Sequence, residues 1–262
     1  MFRKGIEFGT LKVGKGERKV LFILGWCIDF DLPETRWALE RMGRCPWETT
    51  FVRIPLKVSD FEKDVIEPCR KVLSELEDPV LVGLSMGGLA ASYLDTAPGR
   101  IFISPFWGFH PRRLTRLLSP VMPVIGRFHL PLLPRYFGHW AVGDQCPALA
   151  ELYMPFLISC RWVREMHYAH LNLPKLRDDD VVLYCPKDRV VDPVVIREKG
   201  LDTIEFEGGH LFLCVKDREE VMDMVEALIR SAFRANRAGS PGGGKGALCY
   251  AVSGNRVAVT GS

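Results

Sequence analysis

Residues 80–91 read Val80-Leu81-Val82-Gly83-Leu84-Ser85-Met86-Gly87-Gly88-Leu89-Ala90-Ala91. The first three are apolar with no polar alternation, the pattern of a strand buried on both faces, as in a parallel sheet. The next five form Gly-x-Ser-x-Gly, and the small apolar residues after them continue as a helix. A strand that turns this sharply into a helix brings backbone against backbone, which glycines on both sides of Ser85 permit. Such a turn lifts the hydroxyl above the end of the sheet and aims the helix N-terminus at any negative charge formed there. Ser85 is therefore a candidate nucleophile. The other reading is a serine in an ordinary glycine-rich turn, bound to phosphate.

The flanking sequence repeats the strand–helix rhythm. Val20-Leu21-Phe22-Ile23-Leu24, ended by Gly25, has the same doubly buried pattern, and Thr49 to Ile54 reads as a second strand. Apolar residues at 61, 65, 66, 69, 72, 73 and 76 share one helical face, with Pro68 predicting a kink or a late start. Beyond the Ser85 turn, strands are expected over Arg100–Ser104, Val181–Cys185 and Thr203–Phe206. A final helix carries Val221, Met224, Val225, Leu228, Ile229 and Phe233 on one face. The expectation is an α/β fold with a doubly wound, mostly parallel sheet.

Between Phe106 and Arg177 the alternation stops. This stretch is rich in proline, leucine and aromatics, and its length suits a helical cap inserted between two strands. It carries nine basic residues against three acidic, a net +6 within a chain whose total is +3. The basic set includes Arg112, Arg113 and Arg116. The domain reading is a core over residues 1–105 and 178–235, a cap over 106–177, and a Gly-rich linker with a C-terminal extension over 236–262. A short hairpin is expected around Ser253-Gly254-Asn255.

Composition narrows the function. Hydrophobic residues make up 47% and charged residues 26%, the balance of a globular protein and not of a disordered or fibrous one. A net charge of +3 gives no electrostatic footprint of a nucleic-acid binder. The eight cysteines are scattered, with no Cys-x-x-Cys pair, which predicts buried thiols in a reducing compartment. No signal-peptide pattern and no membrane-spanning apolar run are read, so the expected location is cytoplasmic.

A serine needs a base to take its proton. Glu207-Gly208-Gly209-His210 places a histidine on a glycine hinge just past the last predicted strand, and His210 is the candidate. The base needs an acceptor to fix its tautomer. The loop Cys185-Pro186-Lys187-Asp188-Arg189-Val190-Val191-Asp192-Pro193 offers two aspartates. Asp192 precedes Pro193 and has the place of a helix N-cap, so Asp188 is preferred as the acid.

These residues, in the order Ser, Asp, His, resemble the α/β-hydrolase family over about residues 5–235, cap included. Gly83–Gly87 looks like the family's nucleophile elbow, Asp188 like its acid and His210 like its general base. Leu24-Gly25-Trp26 is similar to the family's His-Gly-x segment. The resemblance implies that Trp26 and Met86 supply backbone N–H groups to an oxyanion hole. Leu24 departs from the family's usual His, which puts the order of that loop at issue. The Gly-Trp pair and the cap are similar to small carboxylesterases such as those that cleave pimeloyl esters in biotin synthesis.

The resemblance implies a serine esterase that uses no cofactor and no metal and acts on a small-molecule ester with an apolar acyl or alcohol part. The basic cap extends that expectation to an ester carried on an acidic acyl-carrier protein. The alternatives are another reaction of the same scaffold (thioester, lactone, amide or C–C hydrolysis) or a non-catalytic ligand-binding relative. Other signals are set aside. Gly239 to Lys245 matches the start of a phosphate-binding loop but lacks the Ser or Thr after the lysine and follows a helix. His167 and His170 share a helical face without a third metal ligand. Phe106, Trp107, Phe109, Trp140 and Tyr168 are expected in the core or lining an acyl pocket.

Overall fold

A computed structural model of the chain describes residues 7–109, 121, 124, 160–214, 218–237, 249–253 and 256–260. Most of the expected cap lies outside these residues, including Arg112, Arg113, Arg116 and Trp140, as does the linker over 238–248.

Seven strands form one sheet: β1 (Gly9–Val13), β2 (Lys19–Ile23), β3 (Glu48–Arg53), β4 (Val80–Leu84), β5 (Gly99–Ile103), β6 (Val181–Tyr184) and β7 (Asp202–Glu205). Their order is β1-β3-β2-β4-β5-β6-β7. Only β1 runs antiparallel, against β3; the other pairs are parallel. Among the described residues the α-helices are α1 (Pro33–Gly43), α2 (Glu67–Ser74), α3 (Met86–Ser92), α4 (Cys160–Leu171), α5 (Pro193–Arg197) and α6 (Arg218–Arg237). Among the described residues no helix is long and apolar enough to cross a membrane.

The unbroken apolar runs follow from burial on both faces. Val20, Phe22, Val80, Val82 and Leu84 turn to one layer, which α1 and α6 cover with Leu39, Met42, Val225 and Ile229. Leu21, Ile23 and Leu81 turn to the other, covered by α2, α3 and α4 through Cys69, Leu89, Trp162 and Met166. Pro68 falls in the first turn of α2, and the turn before it, Glu62–Ile66, is π-helical. Proline has no N–H to continue the regular ladder, so the wider turn absorbs the break. In the C-terminal stretch, β8 (Cys249–Ser253) and β9 (Arg256–Thr260) pair antiparallel with Ser253 opposite Arg256.

β2 lies between β3 and β4, so the chain builds outward on one side and resumes on the other. At such a reversal the loops leaving the two central strands part, and a crevice opens at their C-terminal ends. The loop after β2 carries Leu24 to Trp26, and the turn after β4 carries Ser85.

The opposite end of the sheet is fastened by a buried ion pair. Arg100 Nε donates to Asp180 Oδ1 at 2.7 Å and a second guanidinium nitrogen donates to Oδ2. Arg177 N–H also donates to Asp180 Oδ2 at 2.7 Å. Both side chains of the pair are essentially inaccessible, so neither charge has water to fall back on.

Helix α4 is docked on the core at several points. Arg161 Nε donates to the Ser59 carbonyl at 2.8 Å, and Tyr93 hydroxyl donates to the Ala169 carbonyl at 2.6 Å. His170 Nε2 lies 2.7 Å from the Phe106 carbonyl, an acceptor-only partner, so Nε2 carries the proton. Burial pushes the His170 imidazole down to about 4, with the positive charges of His167 and Lys199 adding to the effect and the Phe106 bond opposing it. Tyr168 differs from expectation: it lies on the outer side of α4 and is exposed. It sits between Glu165–Met166 and Ala169, whose side of the helix takes the core contacts.

Two outcomes follow. Arg100→Met leaves the buried Asp180 carboxylate only Arg177, whose Nε lies 3.5 Å from Oδ1, and is expected to lower unfolding free energy by about 3 kcal/mol, the low end for a broken buried pair. Urea midpoints measure this, and a loss within the ~1 kcal/mol of an exposed pair contradicts it. For His170, the folded value near 4 lies below the ordinary value of 6.5. The unfolded chain therefore binds the extra proton first, and this contribution to stability is whole above about pH 6.5 and lost as pH falls toward 4. The stability advantage of the wild type over His170→Asn should shrink across that window in urea titrations. A gap that does not change with pH contradicts the assignment.

Candidate active site

Ser85 joins β4 to α3 with φ 54° and ψ −117°, a conformation that costs an L-residue about 1–3 kcal/mol. The surroundings hold it there. Ser85 N–H donates to the Ile103 carbonyl at 2.9 Å, and the Ser85 carbonyl accepts from Phe106 N–H at 2.9 Å and Leu89 N–H at 3.1 Å. The turn needs its glycines for space. A Cβ on Gly87 would press into the Ile23 and Leu24 carbonyl oxygens, the latter at 2.6 Å, and one on Gly83 would sit 2.7 Å from Gly88 Cα. Four described non-glycine residues have positive φ, and three of them, Cys27, Ser85 and Ser104, follow the neighbouring strands β2, β4 and β5. The strain is gathered at the crevice.

Three side chains predicted from separate loops meet here. Ser85 Oγ lies 2.7 Å from His210 Nε2, and His210 Nδ1 lies 2.8 Å from Asp188 Oδ2. All three residues are buried. The other oxygen of Asp188 accepts from Val190 N–H at 2.8 Å and Val191 N–H at 3.0 Å, which fixes the carboxylate in the plane that Nδ1 meets. A carboxylate only accepts, so Nδ1 carries the imidazole proton and Nε2 offers its lone pair to the Ser85 hydroxyl. Asp192 is not part of this row. Its carboxylate accepts from Val194 N–H at 2.9 Å and caps α5.

The loop after β2 lies directly over Ser85: a Cβ on Gly25 would be 3.2 Å from Ser85 Cβ. Trp26 N–H lies on that loop and Met86 N–H is the first of α3; neither has an acceptor among the described residues. Leu24 is fully buried in the core and its N–H donates to the Val52 carbonyl at 2.9 Å. Trp26 is anchored at its ring edge, where Nε1 donates to the Leu56 carbonyl at 3.0 Å.

An aromatic wall borders the crevice. The rings of Trp26 and Trp162 are 4.7 Å apart, Phe106 and Phe109 are 4.9 Å apart, and Phe109 is 6.2 Å from Trp162. Phe106 and Trp107 are buried, and Trp107 Nε1 donates to Ser92 Oγ at 2.8 Å. Sequence reasoning missed Trp162, which sits in the charged run Arg161-Trp162-Val163-Arg164-Glu165. The helical spacing of Trp162, Met166 and Ala169 was the signal available for a buried face.

The chain resembles many solved structures. A monoacylglycerol lipase of Paleococcus ferrophilus aligns at TM-score 0.67 and 18% identity, over 86% of this chain and 99% of that one. A soluble variant of monoglyceride lipase from Saccharomyces cerevisiae aligns at TM-score 0.63 and 14% identity, over 86% and 92%. An esterase of Exiguobacterium antarcticum aligns at TM-score 0.56 and 17% identity, over 85% and 95%. At these identities the likeness is one of fold. No curated protein sequence matches the chain. The sequence profile of the Alpha/beta hydrolase family matches residues 30–224, more than half of the chain, and with the sheet described above it makes the protein a member of the α/β-hydrolase family.

Proposed function

We propose that the protein is a serine esterase that cleaves a carboxylic ester with an apolar acyl or alcohol part through an acyl-enzyme intermediate. The observation that carries this reading is the hydrogen-bonded row from Ser85 Oγ through His210 to Asp188, set on a strained backbone. The lipase and esterase structures with the same fold agree with it.

In this proposal the Ser85 hydroxyl gives its proton to His210 Nε2 as Oγ attacks the ester carbonyl carbon. Asp188 holds the ring orientation and stabilises the imidazolium. Negative charge gathers on the carbonyl oxygen, where Trp26 N–H and Met86 N–H donate to it. As the tetrahedral intermediate collapses, His210 returns the proton to the leaving alcohol oxygen and Ser85 remains acylated. Water then attacks the acyl carbon, again giving a proton to His210, and the acid leaves as Ser85 recovers its own. The balance needs only ester and water. The cluster of Trp26, Trp162 and Phe109 rings, reached from the Gly25 loop that packs on Ser85, supports an apolar substrate group.

A fluorophosphonate probe with peptide mass spectrometry tests the reading. The adduct is expected on Ser85 and lost in Ser85→Ala; folded wild-type protein that takes no label overturns it. The two aspartates separate roles. Asp188→Asn should reduce turnover of a p-nitrophenyl ester by about 10⁴-fold. Asp192→Asn keeps an N-capping side chain and should leave turnover near wild type.

A further inference from the structure

We propose that Trp162 is a positioning residue: by stacking on the Trp26 indole it fixes the direction of the Trp26 backbone N–H above Ser85. This rests on the esterase reading, in which that N–H stabilises the oxyanion, and it assigns α4 a part in the reaction itself.

The loop from Leu24 to Ile28 is held by the burial of Leu24, Cys27 and Ile28 in the core and has few hydrogen bonds of its own. Leu24 has no polar side-chain atom to brace it, and the one backbone hydrogen bond within the loop, Ile28 N–H to the Gly25 carbonyl, is long at 3.3 Å. Cys27, next to Trp26, takes φ 67°, where L-residues are strained. Between these buried residues Trp26 is only half-buried, and its side chain takes its direction from what it meets. Its Nε1 bond to the Leu56 carbonyl at 3.0 Å fixes one edge of the ring. The Trp162 ring, 4.7 Å away and tilted by 32°, packs against it. A ring held at an edge and on a face fixes its two side-chain torsions, and so the Cα and N–H from which it hangs.

Trp162 can serve as a stop because its helix is tied down. It is buried, and α4 is tied to the core on both sides of it, by Arg161 to Ser59 and by His170 to Phe106. Phe106 in turn donates its N–H to the Ser85 carbonyl. The nucleophile and the oxyanion donor are thus registered to the same helix. An aromatic pair adds about 0.5–1.5 kcal/mol beyond burial, enough to bias a loop between two aims.

The test is a double-mutant cycle on the full chain with p-nitrophenyl butyrate, using Trp26→Leu, Trp162→Leu and both together. Each single change is expected to lower kcat about 10- to 100-fold with little change in KM, short of the ~10²–10³ of losing a donor outright. The double variant should be no worse than the poorer single, because each change removes the same contact. Trp162→Phe keeps a ring face and should recover most of kcat. Near-UV circular dichroism checks that each variant is folded; if Trp162→Leu is not, the Trp26→Leu and Trp162→Phe pair decides. The proposal is overturned if losses multiply in the double variant, if they fall on KM, or if Trp162→Phe is as poor as Trp162→Leu. Wild-type protein that neither turns over the ester nor labels at Ser85 fails the esterase reading, and this proposal with it. Wild type that labels, with variants unchanged, fails the proposal alone.

Discussion

The backbone of Ser85 must sit where an L-residue resists sitting, and the arrangement around it meets that requirement. Its N–H is satisfied by Ile103 at the end of β5 and its carbonyl by Phe106 in the segment that follows. That segment can reach across only because β5 runs parallel beside β4 and ends level with it. The close approach of α3 to β2 leaves no room for a side chain at Gly87. Strain at one residue is thus carried by hydrogen bonds and packing from three strands, which is how a sparsely populated conformation persists in a folded chain.

The polar row is buried in the same crevice, where an unpaired charge or donor is costly. Its members are paired in a chain whose direction is forced. Asp188 accepts from two backbone N–H groups and from His210, so the imidazole is held by one nitrogen while the other is left for Ser85. The second aspartate of the loop is occupied by the N-terminus of α5. One loop therefore supplies two carboxylates with separate tasks, and the helix cap separates them.

Much of this was legible in the sequence because the central strands are buried on both faces and read as unbroken apolar runs. The elements that escaped reading lack that pressure. β1 is an exposed edge strand paired with β3, and the alternation in Thr10-Leu11-Lys12-Val13 is only four residues long, with Leu11 itself exposed. α1 begins at Pro33 and carries four charged residues among its eleven, so its buried positions, Thr35, Ala38, Leu39 and Met42, are diluted in the sequence. The convergence of Ser85, His210 and Asp188 was legible because each follows a strand readable in the sequence. Trp162 was not, since a tryptophan on an amphipathic helix reads as core. What distinguishes it is the ring it touches, far away in the sequence.

Leu24 shows how the two kinds of information combine. A polar residue at that place would brace the loop by hydrogen bonding; a leucine cannot. The structure answers with burial. Leu24 is fully enclosed with β2 and β4 neighbours, and its N–H extends the pairing with β3 by one further bond to Val52. Cys27, at positive φ, and Ile28 are buried in the same core and secure the other end. Between the two ends Trp26 meets Leu56 and Trp162. Apolar packing at both ends and an aromatic contact between them stand where a polar brace would. The order of the loop then depends on α4, and so on a segment that lies outside the sheet.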